Sequence, residues 1–251
     1  METDLTFGSL FSGIGGMDLG LERAGMVCKW QVEIDPFCRK VLEKHWPHVP
    51  KHGDIREVRD LESVDLIAGG FPCQDVSTSG QRRGISEGTR SGLWASYARI
   101  IGSIRPAIVL IENVSGLLAN EPMRRVLGDL SALGYDAEWD MFPARFIGAP
   151  HERERIWIIA YPNGAGPERP FLSGQDLRLS ARPSSTEFGN RRVPCGGWWS
   201  NVPSLRVGNG IRARLDRDRI RSLGNAVVPQ VSEWIGRRIM ETDLTFLSHT
   251  R

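Results

Sequence analysis

An α/β domain on an open sheet is what this sequence predicts, and three observations carry the expectation. Short apolar runs with strand character alternate with helical periods over residues 6–160, the alternation that builds a largely parallel sheet covered by helices. A strand, a glycine turn and a helix follow one another across residues 6–25. Residues 64–68 form another buried strand that runs into Gly69-Gly70-Phe71-Pro72-Cys73-Gln74. The glycines end that strand and Pro72 fixes the backbone just ahead of a thiol, at the strand end where open α/β folds hold ligands.

At 251 residues the chain is one large domain, or one with a small insert, and 40% apolar with 25% charged residues is ordinary globular composition. No apolar run reaches membrane-spanning length and the amino terminus lacks a basic segment followed by an apolar one, which predicts a soluble cytoplasmic protein. Cys28, Cys38, Cys73 and Cys195 show neither C-x-x-C spacing nor paired histidines, so reduced thiols are expected and no metal. The net charge of +2 is unevenly placed: residues 1–160 hold 18 basic and 22 acidic side chains, whereas 161–221 hold 11 arginines against 5 acids. The guanidinium fork matches phosphates and guanine edges, so this concentration points to nucleic acid, with a solvated basic face as the plain alternative.

Residues 6–11 read as the first strand and Ser12-Gly13-Ile14-Gly15-Gly16 as its turn, with Met17, Leu19, Leu21 and Ala24 in a helix that stops at Gly25. Such a turn lets backbone approach a nucleotide-like ligand, although it is not G-x-G-x-x-G and is weak alone. Residues 30–33 form a second strand ending in Glu33, 20 positions after Gly13, and a carboxylate at that offset can accept both hydroxyls of a ribose. NAD and S-adenosylmethionine satisfy this pattern equally well. Residues 36–46 are an amphipathic helix with Phe37, Val41, Leu42 and Trp46 on one face. Asp54 follows in a turn, placed either to accept from an adenine amino group or to stabilise the turn itself.

The polar, Gly-, Ser- and Thr-containing residues 75–84 are expected to make a mobile loop covering Cys73. Turn formers and polar neighbours argue against a buried core cysteine, the commonest fate of a free thiol. Residues 93–104 form a helix, and residues 106–111 a buried strand that runs straight into Glu112-Asn113-Val114. An acid at the end of a central apolar strand is costly without a partner, which makes Glu112 a site candidate. A helix over 123–133, a strand over 135–142 and another over 156–160 follow. Arg153 and Arg155, two apart at the start of that last strand, are expected on one face, with surface pairing to Glu152 and Glu154 as the alternative. Residues 161–209 hold six prolines and seven glycines with little periodicity and read as a small lobe whose core is Trp198-Trp199. Helices over 212–223, with a basic face, and 230–240 flank Gly224-Asn225-Ala226-Val227. Residues 1–7 recur as 240–246, a repeat with no physical account, so residues 241–251 are taken as a tail.

With these pieces placed, the chain resembles the cytosine carbon-5 DNA methyltransferases, because separated motifs stand in that family's order. Phe11-Ser12-Gly13-Ile14-Gly15-Gly16 resembles the cofactor loop, Glu33 the ribose acid and Asp54 the adenine contact. Gly70-Phe71-Pro72-Cys73-Gln74 resembles the nucleophile motif, Glu112-Asn113-Val114 the acid motif, Arg153-x-Arg155 the arginine pair, and Gly224-Asn225-x-Val227 the late cofactor-pocket motif. The resemblance implies a Rossmann-like S-adenosylmethionine-dependent methyltransferase sheet with a small irregular target-recognition lobe. Residues 1–160 would be the catalytic domain, 161–212 the target-recognition region and 213–240 the return to the catalytic domain. It implies methyl transfer to carbon 5 of cytosine in duplex DNA, S-adenosyl-L-homocysteine as co-product, no metal, a monomer aided in recognition by a partner if at all, and a bacterial or phage-infected cytoplasm, in restriction-modification or phage protection.

The same resemblance assigns roles. Cys73 would attack carbon 6 as a thiolate, Glu112 would neutralise charge at ring nitrogen 3, and Arg153 and Arg155 would hold the base oxygen and the glutamate. Phe11, Gly13, Gly15, Gly16, Glu33, Ile34, Asp54, Ile55, Pro72, Leu93, Asn225 and Ala226 would surround the cofactor. Gln74, Ser77, Ser79, Gln81, Arg82, Arg83, Arg212 and Arg214 would meet DNA, with the target base flipped out. Three departures stand out: Ile34 replaces a common aromatic, His151 replaces the usual Gln, and the recognition region is short. Transfer-RNA cytosine methyltransferases are a related alternative, disfavoured by Phe71 before Pro72 and by Gly196-Gly197 after Cys195. A non-catalytic module would be expected to lack Cys73 or Glu112, and an NAD oxidoreductase leaves both motifs without a role.

Overall fold

Every second residue of a strand faces the same side, and strand β5 (Ile108–Val114) shows what that does here. Ile108 and Leu110 enter one apolar layer with Phe7, Leu21, Trp157 and Ile235, while Val109 and Ile111 enter another with Trp30, Ile67, Trp94 and Leu130. A strand buried on both faces must be central and flanked by helices. The computed structural model describes residues 5–72, 93–147, 153–166, 170–172 and 213–242, and in it β5 is an interior strand of such a sheet, paired on both edges.

Seven strands are described: β1 (Thr6–Leu10), β2 (Val27–Val32), β3 (Lys51–His52), β4 (Leu66–Gly69), β5, β6 (Tyr135–Phe142) and β7 (Arg155–Pro162). Their order is β3-β2-β1-β4-β5-β7-β6. The first five run parallel and β7 lies antiparallel between β5 and β6. Parallel neighbours need crossovers, supplied by helices α1 (Gly16–Arg23), α2 (Pro36–His45) and α3 (Leu93–Ile104), while α4 (Asn120–Ala132) precedes β6. Helices α5 (Ala213–Asn225) and α6 (Pro229–Glu241) close the described chain. The strand sequence reverses direction between β1 and β4, which places a crevice outside their carboxyl ends.

Local chemistry explains the boundaries. Asp35 caps α2 by accepting from the Phe37 and Cys38 amides at 2.8 and 3.3 Å, with Pro36 at the first helical position. Glycine lets α6 lie flush on α1, since a Cβ on Gly20 would overlap the Ser232 Oγ and one on Gly236 would meet the Ala24 Cβ at 2.7 Å. Three expectations need correction. The buried side of α2 is Cys38, which meets Ser222 of α5, and Leu42, which lies beside Gly15, while Phe37, Val41 and Trp46 stay partly open. Helix α4 begins at Asn120, before the expected 123. The lobe expected over 161–209 needs correction at its start, where Tyr161 and Pro162 complete β7 and Phe171 and Leu172 pack into the main core; residues 167–169 and 173–212 lie outside the described residues, as does the second copy of the repeat beyond Thr242.

One polar cluster ties this frame together from inside. Asp18, fully buried on α1, accepts from Ser9 Oγ of β1 at 3.0 Å and from Gln31 Nε2 of β2 at 2.8 Å. Gln31 Oε1 has no hydrogen-bond partner among the described residues. Burial pushes the Asp18 carboxyl up from 3.8 to about 6, with the Gln31 and Ser9 bonds opposing. The folded state therefore binds this proton more tightly than the unfolded chain. Its stabilising contribution is full below about pH 4, is lost as pH rises to about 6, and amounts to about 3 kcal/mol. Asp18→Asn, whose amide can donate to Gln31 Oε1, should remove that slope. Denaturant titrations at pH 4 and pH 7 should show the variant gaining on the wild type as pH rises; a constant difference would contradict the assignment.

Candidate active site

Four fully buried apolar residues, Ile108 to Ile111, deliver Glu112 to the carboxyl end of β5. Glu112 is itself only 9% exposed, so its charge must be answered locally. Register supplies the answer: Arg155 stands opposite Val114 on antiparallel β7 and Trp157 opposite Glu112, which puts Arg155 diagonal to Glu112 on one face. Arg155 Nε reaches Glu112 Oε1 at 3.0 Å. Burial raises the Glu112 pKa above its ordinary value, while the charges of Arg155 and then Arg153 pull it down. The net is a carboxyl group held above its ordinary pKa by burial, next to a fixed cation.

The end of β4 is packed onto this acid. A Cβ on Gly70 would sit 2.6 Å from Glu112 Oε2, so only glycine lets the backbone pass so close. Asn113 Nδ2 donates to the Phe71 carbonyl at 3.1 Å. Phe71 is buried against Trp94, Trp94 against Tyr97 and Tyr97 against Phe11, with ring centroids 5.2, 5.4 and 6.3 Å apart. Helix α3 thus links the segment leading to Cys73 with the turn after β1. Cys73 itself, with Gln74, Ser77, Ser79, Gln81, Arg82 and Arg83, lies outside the described residues, as do His151, Arg212 and the side chain of Arg214.

That turn borders the crevice at the β1–β4 reversal, a cleft of about 360 Å³ with the open solvent at its mouth counted. Phe11, Gly13 and Gly15 take positive φ of 55°, 57° and 82°, and a Cβ on Gly13 would meet nothing closer than 4.0 Å, so its backbone stays open to a ligand. Glu33 accepts from the Gly13 amide at 2.7 Å and the Asp35 amide at 2.8 Å, which anchors the turn to β2. Burial raises the Glu33 pKa, against those bonds. Of the expected cofactor positions, Phe11, Gly13, Gly16, Asn225 and Ala226 line the cleft, together with Glu112.

Others are placed differently. Gly15 packs on Trp46, whose ring a Cβ there would overlap. Ile34 stands 61% exposed beside Glu33, and Pro72 closes the described run before Cys73. Asp54 accepts from the Arg56 amide and side-chain Nε at 2.9 Å, the turn-stabilising alternative. Ile55 is a core residue, 4% exposed, and Leu93 packs on the same core. The two arginines of the pair have different partners. Whereas Arg155 faces Glu112, Arg153 precedes β7 with φ of 30° and donates to the Gly224 and Ala226 carbonyls. Asn113, Gly70 and Val227 were not singled out as site residues, although each sits inside a quoted motif: Asn113 beside Glu112, Gly70 ahead of Cys73, and Val227 at the end of the late cofactor-pocket motif.

A model of the family of C-5 cytosine-specific DNA methylases matches residues 5–187. The chain belongs to that family. Among curated members, Type II methyltransferase M2.BsuMI of Bacillus subtilis (strain 168) is 42% identical over 61% of this chain and 41% of its own length. M.DsaV of Dactylococcopsis salina is 32% identical over 71% and 52%, and M.NgoFVII of Neisseria gonorrhoeae 32% over 84% and 57%. The chain therefore spans about half the length of the curated methylases it matches. An E. coli prophage-encoded protein of known structure shares 26% identity at a TM-score of 0.57, covering 68% of this chain and 50% of its own. S. pombe Dnmt2 methyltransferase, at 22% identity, a TM-score of 0.59 and coverage of 73% and 57%, shows the fold alone. The sheet of this methylase-family chain is the Rossmann-like one of those neighbours. No helix among the described residues is long and apolar enough to cross a membrane.

Proposed function

We propose that this chain transfers a methyl group from S-adenosyl-L-methionine to carbon 5 of cytosine in duplex DNA, through a transient bond from Cys73 to a flipped-out base. The observation that carries the reading is the buried Glu112–Arg155 pair, with Gly70 packed against Glu112 and Cys73 three residues further on.

The cleft at the β1–β4 reversal fits a nucleoside-bearing methyl donor. It offers an open glycine backbone and an aromatic at Phe11, and behind the turn the partly buried Glu33 carboxylate accepts from the Gly13 and Asp35 amides. When bound, S-adenosyl-L-methionine supplies an electrophilic methyl on a sulfonium and leaves as S-adenosyl-L-homocysteine. Asn225 and Ala226 form the far wall. Gly13 and Gly16 admit the ligand close to the amino end of α1, and Ile34 covers an edge.

Cytosine carbon 5 is a poor nucleophile until something adds to carbon 6. The Cys73 thiolate forms the sulfur–carbon 6 bond, and the carbon 5–carbon 6 π pair shifts into the ring. Glu112, protonated, donates toward ring nitrogen 3, and Arg155 fixes its carboxyl group. Carbon 5 takes the methyl group as the proton at ring nitrogen 3 returns to Glu112; the carbon 5 proton then passes to solvent, and the pair it leaves re-forms the carbon 5–carbon 6 double bond and expels Cys73 as thiolate. Such chemistry needs the base out of the stack, with Gln74, Ser77, Ser79, Gln81, Arg82 and Arg83 as the residues to meet the DNA around it. Arg212 and Arg214 meet phosphates, and residues 161–212 read the target.

The purified chain, given tritiated donor, should label duplex DNA and yield 5-methyl-2′-deoxycytidine on nucleoside analysis. Label confined to transfer RNA, or found on adenine, would overturn the assignment.

A further inference from the structure

The connection between α5 and α6 is held from one side and presses on the cleft from the other. Arg153 Nη1 donates to the Gly224 carbonyl at 2.8 Å and Nη2 to the Ala226 carbonyl at 2.5 Å. Gly224 lies in the last turn of α5, so its carbonyl is one of the acceptors a helix leaves unpaired at its end, where a cation is favoured. One residue beyond Ala226, the Val227 carbonyl occupies space that a Cβ on Gly16 would need, so this connection is seated directly on the amino end of α1. Asn225, Ala226 and Val227 line the 360 Å³ cleft.

Arg153 reaches these carbonyls with its own backbone at φ of 30°, a region that non-glycine residues occupy at a cost and keep where surrounding contacts demand it. The same guanidinium borders a second, smaller cavity with Glu112 and Arg155. It therefore stands between the acid and the far wall of the cleft.

We infer that Arg153 is a positioning residue for the methyl-donor cleft: its guanidinium clamps the Gly224 and Ala226 carbonyls and so holds Asn225, Ala226 and Val227 as the cleft wall. The inference rests on reading that cleft as the donor site, and it replaces a direct base contact by Arg153.

Binding of S-adenosyl-L-homocysteine to the full chain, measured by titration calorimetry, separates the possibilities. Arg153→Gln should weaken binding about ten-fold, the scale of losing a charge-assisted hydrogen bond. Arg153→Lys keeps the charge but replaces the two separately placed nitrogens of the planar fork with one nitrogen on a shorter stem, so it should also bind more weakly, with thermal unfolding checked to show that it folds. Both should raise KM for the donor more than they lower kcat at saturating donor. Arg125→Gln, by contrast, removes an exposed arginine of α4 that pairs with Asp129 at 2.7 Å and lies outside the cleft, so it should bind S-adenosyl-L-homocysteine within about two-fold of wild type. Wild-type affinity in a folded Arg153→Lys or Arg153→Gln protein, with the loss confined to kcat, would overturn the clamp. Absence of binding by the wild type would instead overturn the reading of the cleft.

Discussion

Replacing Cys73 with serine is expected to lower methyl transfer by a factor on the order of 10⁴ or more. A serine hydroxyl stays protonated at neutral pH and adds poorly to an aromatic ring, so carbon 5 is never activated. Donor binding should survive, because the described cleft is walled by the turn after β1, the start of α1, Gly69, Gly70, Glu112 and residues 225–227, and the substitution exchanges a single side-chain atom. Single-turnover transfer of tritiated methyl, paired with calorimetric binding of S-adenosyl-L-homocysteine, reads both quantities. Substantial turnover by the variant would mean that another group initiates the chemistry.

The second large effect concerns the Glu112–Arg155 pair, which can be broken from either end. Glu112→Gln preserves shape but removes the transferable proton, and kcat should fall about 10²- to 10⁴-fold. In the wild type, activity should decline as pH rises through the raised pKa of Glu112, because the protonated acid is the working form. The glutamine variant should lose that alkaline limb. Arg155→Met leaves a buried carboxylate without its cation, and the destabilisation at neutral pH should be about 3 kcal/mol. The sign follows from burial: with the guanidinium gone, the Glu112 pKa rises further, so stability is lost over a wider span as pH rises. An alkaline limb unchanged in Glu112→Gln would assign the titration to another group.

The parts of this site that were readable in the sequence are those where a chemical type breaks a pattern. An acid directly after a fully apolar strand marked Glu112, and glycines and a proline before a thiol marked Cys73. The helix over 93–104 was readable because Trp94, Tyr97, Ile100 and Ile101 fall at helical spacing and are the buried residues of α3. The division of labour between Arg153 and Arg155 was not readable. Their spacing implies one face only if both are extended, and the positive φ of Arg153 breaks that condition. The insertion of β7 between β5 and β6 is likewise a long-range pairing that local periodicity does not encode. Asp18 shows a third case: its helix face is buried with Met17 and Leu21, and its partners Ser9 and Gln31 come from two different strands, so the cluster exists only once the sheet has formed. The turn role of Asp54, by contrast, was legible as an alternative, with Arg56 two residues away.

The central claim is a sulfur–carbon bond between residue 73 and the pyrimidine, and covalent capture tests it most directly. Duplex DNA carrying 5-fluorocytosine places fluorine where a proton must leave, so the adduct cannot collapse after methyl transfer. Incubated with S-adenosyl-L-methionine, the wild-type chain should form a complex that survives denaturation, with the DNA mapped by mass spectrometry to the peptide containing Cys73, and Cys73→Ser should form none. A chain that methylates ordinary cytosine yet leaves 5-fluorocytosine duplexes untrapped, or that is trapped through another residue, would contradict the account.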